Sequence, residues 1–275
     1  MPDHTSSTSN SSAVTAKDCA DALAAVQAQG PLVQCLTNIV VANWTANVLL
    51  AAGAAPAMVD NPHEAPLFAG VASAVLVNLG TPYDDTAQAM TVAVDAAAAA
   101  DTPWILDPVA AGGLPWRTQH ARMLLEHGSP TIVRGNASEI LGLAGGAGGR
   151  GVDSSDIPDA VVETARDLAR ARACVVAVSG ERDLFTDGER MVRLRGGHPW
   201  MTRVTGVGCS LGALMAAFAA VSDPLVAAVS ATGVLCVAAE DAAHASRGLG
   251  TFAVSLLDEL TVLTPERLAE RVHLT

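Results

Sequence analysis

Short apolar runs recur along the chain, separated by longer stretches of helical character. PLVQCLTN (31–38), APAMVD (55–60), SAVLVNLG (73–80), PWILDP (103–108), PTIVRGN (130–136) and ACVVAVSG (173–180) each predict a buried strand. The intervening segments 41–52, 84–100, 117–127, 137–144 and 156–172 predict helices. The strand candidates are nearly continuous in apolar residues rather than alternating. That pattern belongs to a mostly parallel sheet with helices on both faces. LFTDG (184–188) and MVRLRGG (191–197) predict a hairpin turned by Asp187-Gly188. Only helices are expected after it, over 209–222, 224–245, 252–260 and 265–271. The expected architecture is an α/β three-layer domain over residues 17–275, with a helical C-terminal third.

Composition narrows this picture. Half the residues are hydrophobic, 16% are charged and 3% are aromatic, so Ala, Val and Leu supply the apolar mass. So small a charged fraction points to an oligomer that buries part of its outer surface. The net charge of -12 argues against a nucleic-acid footprint, which needs clustered Lys and Arg. An anionic substrate such as ATP must therefore be held locally, by a cation, a metal or a helix end. The five cysteines (Cys19, Cys35, Cys174, Cys209 and Cys236) are odd in number and form no C-x-x-C pair. They argue against a disulfide framework or a zinc site and for a reducing, cytoplasmic setting.

Three segments are set aside. The N-terminal MPDHTSSTSNSSAVTAKD has neither a basic region nor an apolar core, so it does not read as a signal peptide. Its Ser/Thr richness predicts a disordered tail through residue 16. The Ala-rich run 87–100, interrupted by Gln88 and Asp95, is too short to span a bilayer. GLAGGAGGRG (142–151) predicts a mobile loop, since it lacks the Lys-Ser/Thr ending of a phosphate-binding motif.

Ligands of open parallel sheets sit outside the carboxyl ends of the strands, and polar residues fall at several such ends. Asn38, Asp107, Arg134 and Ser179 follow VQCLT, PWIL, TIV and VVAV. Asp107-Pro108 is either a turn starter or a carboxylate that holds a metal, most naturally Mg²⁺ through water. Asn136-Ala137-Ser138-Glu139 has the spacing of a capping box, and Glu139 could also join Asp107 at a metal. Arg134 at a buried strand end demands an anionic partner, whether phosphate, Asp107 or Glu139. Ser179-Gly180 offers a small hydroxyl and room for close approach.

The stretch RVTGVGCSLG (203–212) turns sharply on glycines and starts an apolar helix with Cys209 in its first turn. Free backbone N–H groups and the helix dipole make such a turn an anion hole, suited to a phosphoryl group in transfer. The same setting is expected to lower the Cys209 pKa. A small buried core residue is the alternative. Covalent thiol catalysis lacks support, because neither His198 nor His244 forms a Cys-His signature with Cys209.

Asn38-Ile39-Val40-Val41-Ala42-Asn43-Trp44-Thr45-Ala46-Asn47, Gly-Ala-Ala-Pro-Ala-Met58, LDPVAAG (106–112), RGNASEI (134–140) and TGVGC (205–209) occur in an order that resembles the hydroxyethylthiazole kinases. The resemblance extends over about residues 20–270. It implies a ribokinase-like fold, a homotrimer with active sites at subunit interfaces, and Mg²⁺-ATP phosphorylation of a thiazole primary alcohol for thiamine salvage. It also implies that Cys209 stands where the wider ribokinase-like class carries an Asp base. Met58 and Gly206 match thiazole-pocket positions, and Asn38 lies in the same substrate segment. Arg134 and Ser179 match nucleotide-contacting positions, and Asp107 and Glu139 match the metal region. The chain departs from the family pattern at Ile39, often Asn, at Ala110, often Gly, and at Ser179, usually Thr. Two rivals remain at this point: a sister kinase for an alcohol such as hydroxymethylpyrimidine, and a non-catalytic nucleotide or thiazole sensor.

Overall fold

The computed structural model describes residues 13–145 and 159–275. Helix α1 (Ala16–Gln29) starts on a capping box: Asp18 N–H donates to the Thr15 hydroxyl, and Thr15 N–H donates back to the Asp18 carboxylate. Then come β1 (Leu32–Leu36), α2 (Ala42–Ala51), β2 (Ala55–Ala57), α3 (Ala65–Ala69), β3 (Ala74–Asn78), α4 (Asp84–Ala99) and β4 (Trp104–Asp107). The chain continues through α5 (Pro115–His127), β5 (Ile132–Asn136), α6 (Ala137–Leu143), α7 (Asp159–Arg172) and β6 (Val175–Ser179). A hairpin of β7 (Arg182–Thr186) and β8 (Met191–Arg195) leads to a 3-10 turn over Pro199–Arg203. The last elements are α8 (Val207–Ala219), α9 (Pro224–Ala245), α10 (Leu249–Val262), α11 (Pro265–Arg271) and β9 (His273–Leu274).

The nine described strands form one sheet in the order β2-β1-β3-β4-β5-β6-β7-β8-β9. Strands β1 to β6 run parallel, and β7, β8 and β9 are added antiparallel. Side-chain alternation feeds two cores. Cys35, Ile105, Ile132 and Phe185 join α1, α2, α8, α9 and α10 on one face. Leu36, Leu106, Val133 and Leu184 join α3 to α7 on the other. This is the three-layer arrangement that the uninterrupted apolar strands require. Among the described residues, α9 alone is long and apolar enough to cross a membrane, and it is instead buried between α8 and α10.

The hairpin turns as expected on Asp187-Gly188, where the Asp187 carboxylate accepts from the N–H groups of Glu189 and Arg190. Several expectations are corrected. Strand β2 stops at Ala57, which leaves Met58 in the loop beyond it. Helix α8 begins at Val207 rather than at residue 209. Val14 is buried and Thr15 caps α1, so the expected tail through residue 16 is too long; residues 1–12 lie outside the described chain. The greater part of the expected glycine loop, from residue 146 on, lies outside it as well. Short elements that the apolar pattern did not flag are α3, the 3-10 turn and β9.

Candidate active site

The parallel register brings the carboxyl ends of β1, β3, β4, β5 and β6 beneath the first turn of α8. Asn78 is the register partner of Asp107, and Arg134 that of Ala177, two residues before Ser179. Asn38 lies just past β1, Asn78 and Asp107 end β3 and β4, and Ser179 ends β6. Arg134 is the mid-residue of β5 rather than its end, and its long side chain runs forward to the rim.

These side chains form one continuous hydrogen-bonded relay. Arg134 Nη1 donates to Asp107 Oδ2 and to the Gly208 carbonyl, both at 3.0 Å, and Arg134 Nη2 donates to Ser179 Oγ at 3.0 Å. Asn78 Nδ2 donates to the same Asp107 oxygen at 2.7 Å. Asn38 Nδ2 in turn donates to Asn78 Oδ1 at 2.9 Å and lies 3.6 Å from Cys209 Sγ. Asn38, Asn78, Asp107 and Arg134 are all buried. A guanidinium in such a place stays charged only because a carboxylate faces it. Burial pushes the Asp107 carboxyl up to about 6, while Arg134 and Asn78 act to hold it down.

Gly206 takes φ +96° at the entrance to α8. A Cβ there would come within 2.8 Å of Trp44 Cδ1, so both the conformation and the packing require glycine. The first bond of the helical series runs from Ser210 N–H to the Gly206 carbonyl at 2.8 Å. The N–H groups of Gly208 and Cys209 precede it and belong to the open first turn, where an anion can be received. The expected low pKa of Cys209 is overturned. Its half-buried thiol is pushed up, first by burial and then by the Asp107 charge, against the opposing pull of Asn78, Arg134 and Asn38. Burial of the thiol, more than the neighbouring carboxylate, sets the direction.

Glu139 closes the expected capping box, accepting from Asn136 N–H at 2.9 Å while Asn136 Oδ1 accepts from Glu139 N–H at 2.9 Å. Its other carboxylate oxygen accepts from Ala110 N–H at 3.0 Å. That bond holds Ala110 at φ +65°, a conformation in which glycine would be less strained. Glu139 is therefore occupied in fixing the loop after Asp107. By contrast, Asp107 Oδ1 is buried and has no hydrogen-bond partner. Among the described residues no three His, Cys, Asp or Glu side chains group to hold a metal ion. One free carboxylate oxygen suits Mg²⁺, which commonly takes one or two carboxylates and fills its shell with water and substrate phosphates.

Met58 lies past the carboxyl end of edge strand β2, is 38% exposed, and takes no part in the hydrogen bonds of the relay. Its loop is tied down by Gln34, whose Nε2 donates to the carbonyls of Val59 at 2.8 Å and Ala65 at 3.2 Å. Two rim residues escaped the sequence reading. Asn78 ends the run SAVLVN, where a polar residue closing an apolar strand was the available signal. Asp183, on β7, accepts from Gly180 N–H at 3.0 Å beside Ser179, and burial pushes its carboxyl up to about 6.

The pyridoxal kinase of Staphylococcus aureus, solved with pyridoxal, shares this fold at a TM-score of 0.56 and 16% identity, over 76% of this chain and 87% of that one. A parallel sheet ending in a charged rim beneath an open glycine turn puts the chain in the ribokinase-like fold class. Within that class the chain belongs to the hydroxyethylthiazole kinase family, whose model matches residues 23–266. A hydroxyethylthiazole kinase of Cutibacterium acnes is 54% identical over 254 residues, 92% of this chain and 91% of its own. The structure of the hydroxyethylthiazole kinase protein of Pyrococcus horikoshii OT3 superposes with a TM-score of 0.87 at 34% identity, over 94% of this chain and 98% of that one.

Proposed function

We propose that this chain transfers the γ-phosphoryl group of ATP to the primary alcohol of 4-methyl-5-(2-hydroxyethyl)thiazole, a step that supplies thiamine synthesis. Beside the family membership, one observation carries this reading: the strand-end residues and the open turn of α8 share a single relay. Arg134 and Ser179 hold the nucleotide phosphates. The free N–H groups of Gly208 and Cys209 meet the negative charge that spreads over the phosphoryl oxygens in transfer. Asn38 and Gly206 border the acceptor, and Met58 completes the thiazole pocket. Cys209 receives the alcohol proton.

A primary alcohol is too weak an acid to be deprotonated early by a thiolate. Its proton leaves late, as the new P–O bond forms, so the demand on the base is modest and positioning supplies most of the rate. Asp107 would hold Mg²⁺ through its unpartnered oxygen, with Glu139 behind it, and the ion would neutralise phosphate charge when bound.

The test is ATP consumption in the presence of Mg²⁺ with hydroxyethylthiazole, hydroxymethylpyrimidine or no acceptor. Turnover with the thiazole alone is the expected result. Equal or better turnover with the pyrimidine would assign the chain to a different alcohol, and ATP binding without turnover on either would make it a sensor.

Met58 follows the edge strand, and Leu67 and Val71 are large apolar residues exposed close behind it in sequence. An open edge beside exposed apolar side chains supports a homotrimer in which Met58 serves a neighbouring subunit's pocket. Light scattering should then give three times 27.9 kDa, and a monomer of full activity would end that reading. All five cysteines are free, in keeping with a cytoplasmic setting.

A further inference from the structure

We infer that Asn78, aided by Gly80, is a positioning residue that fixes the Asn38 amide against Cys209 and so orients the group receiving the substrate proton. The inference rests on the roles given above to Asn38 and Cys209.

Chemistry alone assigns the Asn78 amide. Gly80 N–H can only donate, and it points at Asn78 Oδ1 from 3.0 Å. An ionised Asp107 can only accept, and its Oδ2 faces Asn78 Nδ2 at 2.7 Å. Neither end of Asn78 can be exchanged without setting donor against donor and acceptor against acceptor. Once Asn78 Oδ1 is fixed as an acceptor, the Asn38 atom facing it at 2.9 Å must be nitrogen. That same nitrogen presents its second hydrogen to Cys209 Sγ.

Sterics agree with the hydrogen bonds. A Cβ on Gly80 would fall 2.6 Å from Asn38 Cγ and 2.7 Å from Asn38 Cβ, so the strand-end backbone presses directly on the Asn38 side chain. Asn38 is thereby held between the Gly80 backbone, the Asn78 amide and the Cys209 sulfur. With a donor pointed at it, the sulfur is biased to act as an acceptor there, and its own proton or second lone pair is turned elsewhere. Asn78 itself is fully buried and has no path to substrate, so whatever it contributes must pass through its neighbours.

A double-mutant cycle tests this directly. Asn38→Ala and Asn78→Ala are each expected to lower kcat by about thirtyfold with the KM for ATP within about twofold of wild type, and the double variant to fall by no more than about threefold further. Thermal unfolding of each variant confirms that it is folded under assay conditions. If Asn78→Ala does not fold, Asn78→Ser is put through the same cycle. Gly80→Ala, which moves Asn38 without removing any hydrogen-bonding group, should reproduce the kcat loss at an unchanged KM for ATP. Additive losses, a kcat unaffected by Asn78→Ala, or a KM for ATP that rises as kcat falls would each overturn the inference. An unimpaired Asn38→Ala would instead overturn the site reading beneath it.

Discussion

Asp107→Asn is expected to lower kcat by about 10²- to 10³-fold, the range seen when one preorganised charge contact is lost from a reaction centre. The substitution keeps the shape of the side chain and removes two of its properties. Asp107 Oδ2 accepts from both Asn78 and Arg134. A neutral amide can serve both only by turning its NH₂ into the position of Oδ1, the one buried oxygen free to hold Mg²⁺. If it turns the other way, an NH₂ group confronts two donors. In either orientation Arg134 loses its counter-charge while its side chain stays 9% exposed. Leaving a buried ion without its partner typically costs about 3–5 kcal/mol of folding stability. Kinetics at saturating ATP, taken with urea unfolding of the same protein, separates the two effects. A destabilised variant with kcat within about threefold of wild type would reduce Asp107 to a structural role.

Cys209→Ala should lower kcat by about 10²-fold, at the lower end of what a positioned base contributes, with the KM for ATP nearly unchanged. In the proposed site its contacts with the nucleotide would run through backbone N–H groups of the helix turn, and alanine keeps those. The pH profile gives a sharper test. The Cys209 pKa is raised, so the thiol is protonated at neutral pH and the thiolate fraction grows only as pH climbs toward that raised value. Wild-type kcat should therefore increase through the alkaline range, and Cys209→Ala should lack that rise. An unchanged kcat, or an alkaline limb that survives the substitution, would remove Cys209 from the proton-accepting role.

Much of the fold was legible because burial on both faces leaves a plain mark. Strands such as ILD in β4 and VVAV in β6 could only be interior, and the capping pattern of Asn136 to Glu139 appears as written. Helix α1 went unflagged although Cys19, Ala22, Leu23 and Val26 sit at helical spacing, since a stripe with two small members, Cys19 and Ala22, is a fainter mark than an unbroken apolar strand. Asp107, Arg134 and Ser179 were visible as polar residues closing apolar runs. Asn78 carried the same signal but shares it with many ordinary strand ends. What sets it apart is its pairing with Asp107 across β3 and β4, and no local pattern encodes that register. The Cys209 pKa was misjudged for a related reason. The helix turn can be read along the chain, whereas the burial that raises the thiol, and the Asp107 charge that adds to it, come from other elements packed around it. The family motifs located Met58 but could not show that it lies in the loop beyond the strand, because its place depends on where β2 ends.

The bridge from Asp107 to Cys209 is built of two side-chain amides. An amide transmits orientation faithfully, yet it does not take up and pass on a proton as an imidazole or a water chain does. Asn78 and Asn38 are thus mechanical couplers and barriers to proton transfer at once. Asp107 and Cys209 can be aligned to each other with no proton passing between them, although the charge of Asp107 still raises the pKa of the thiol through space. A proton delivered to Cys209 has no wire back to Asp107, so it must leave by the pocket mouth or with the departing product.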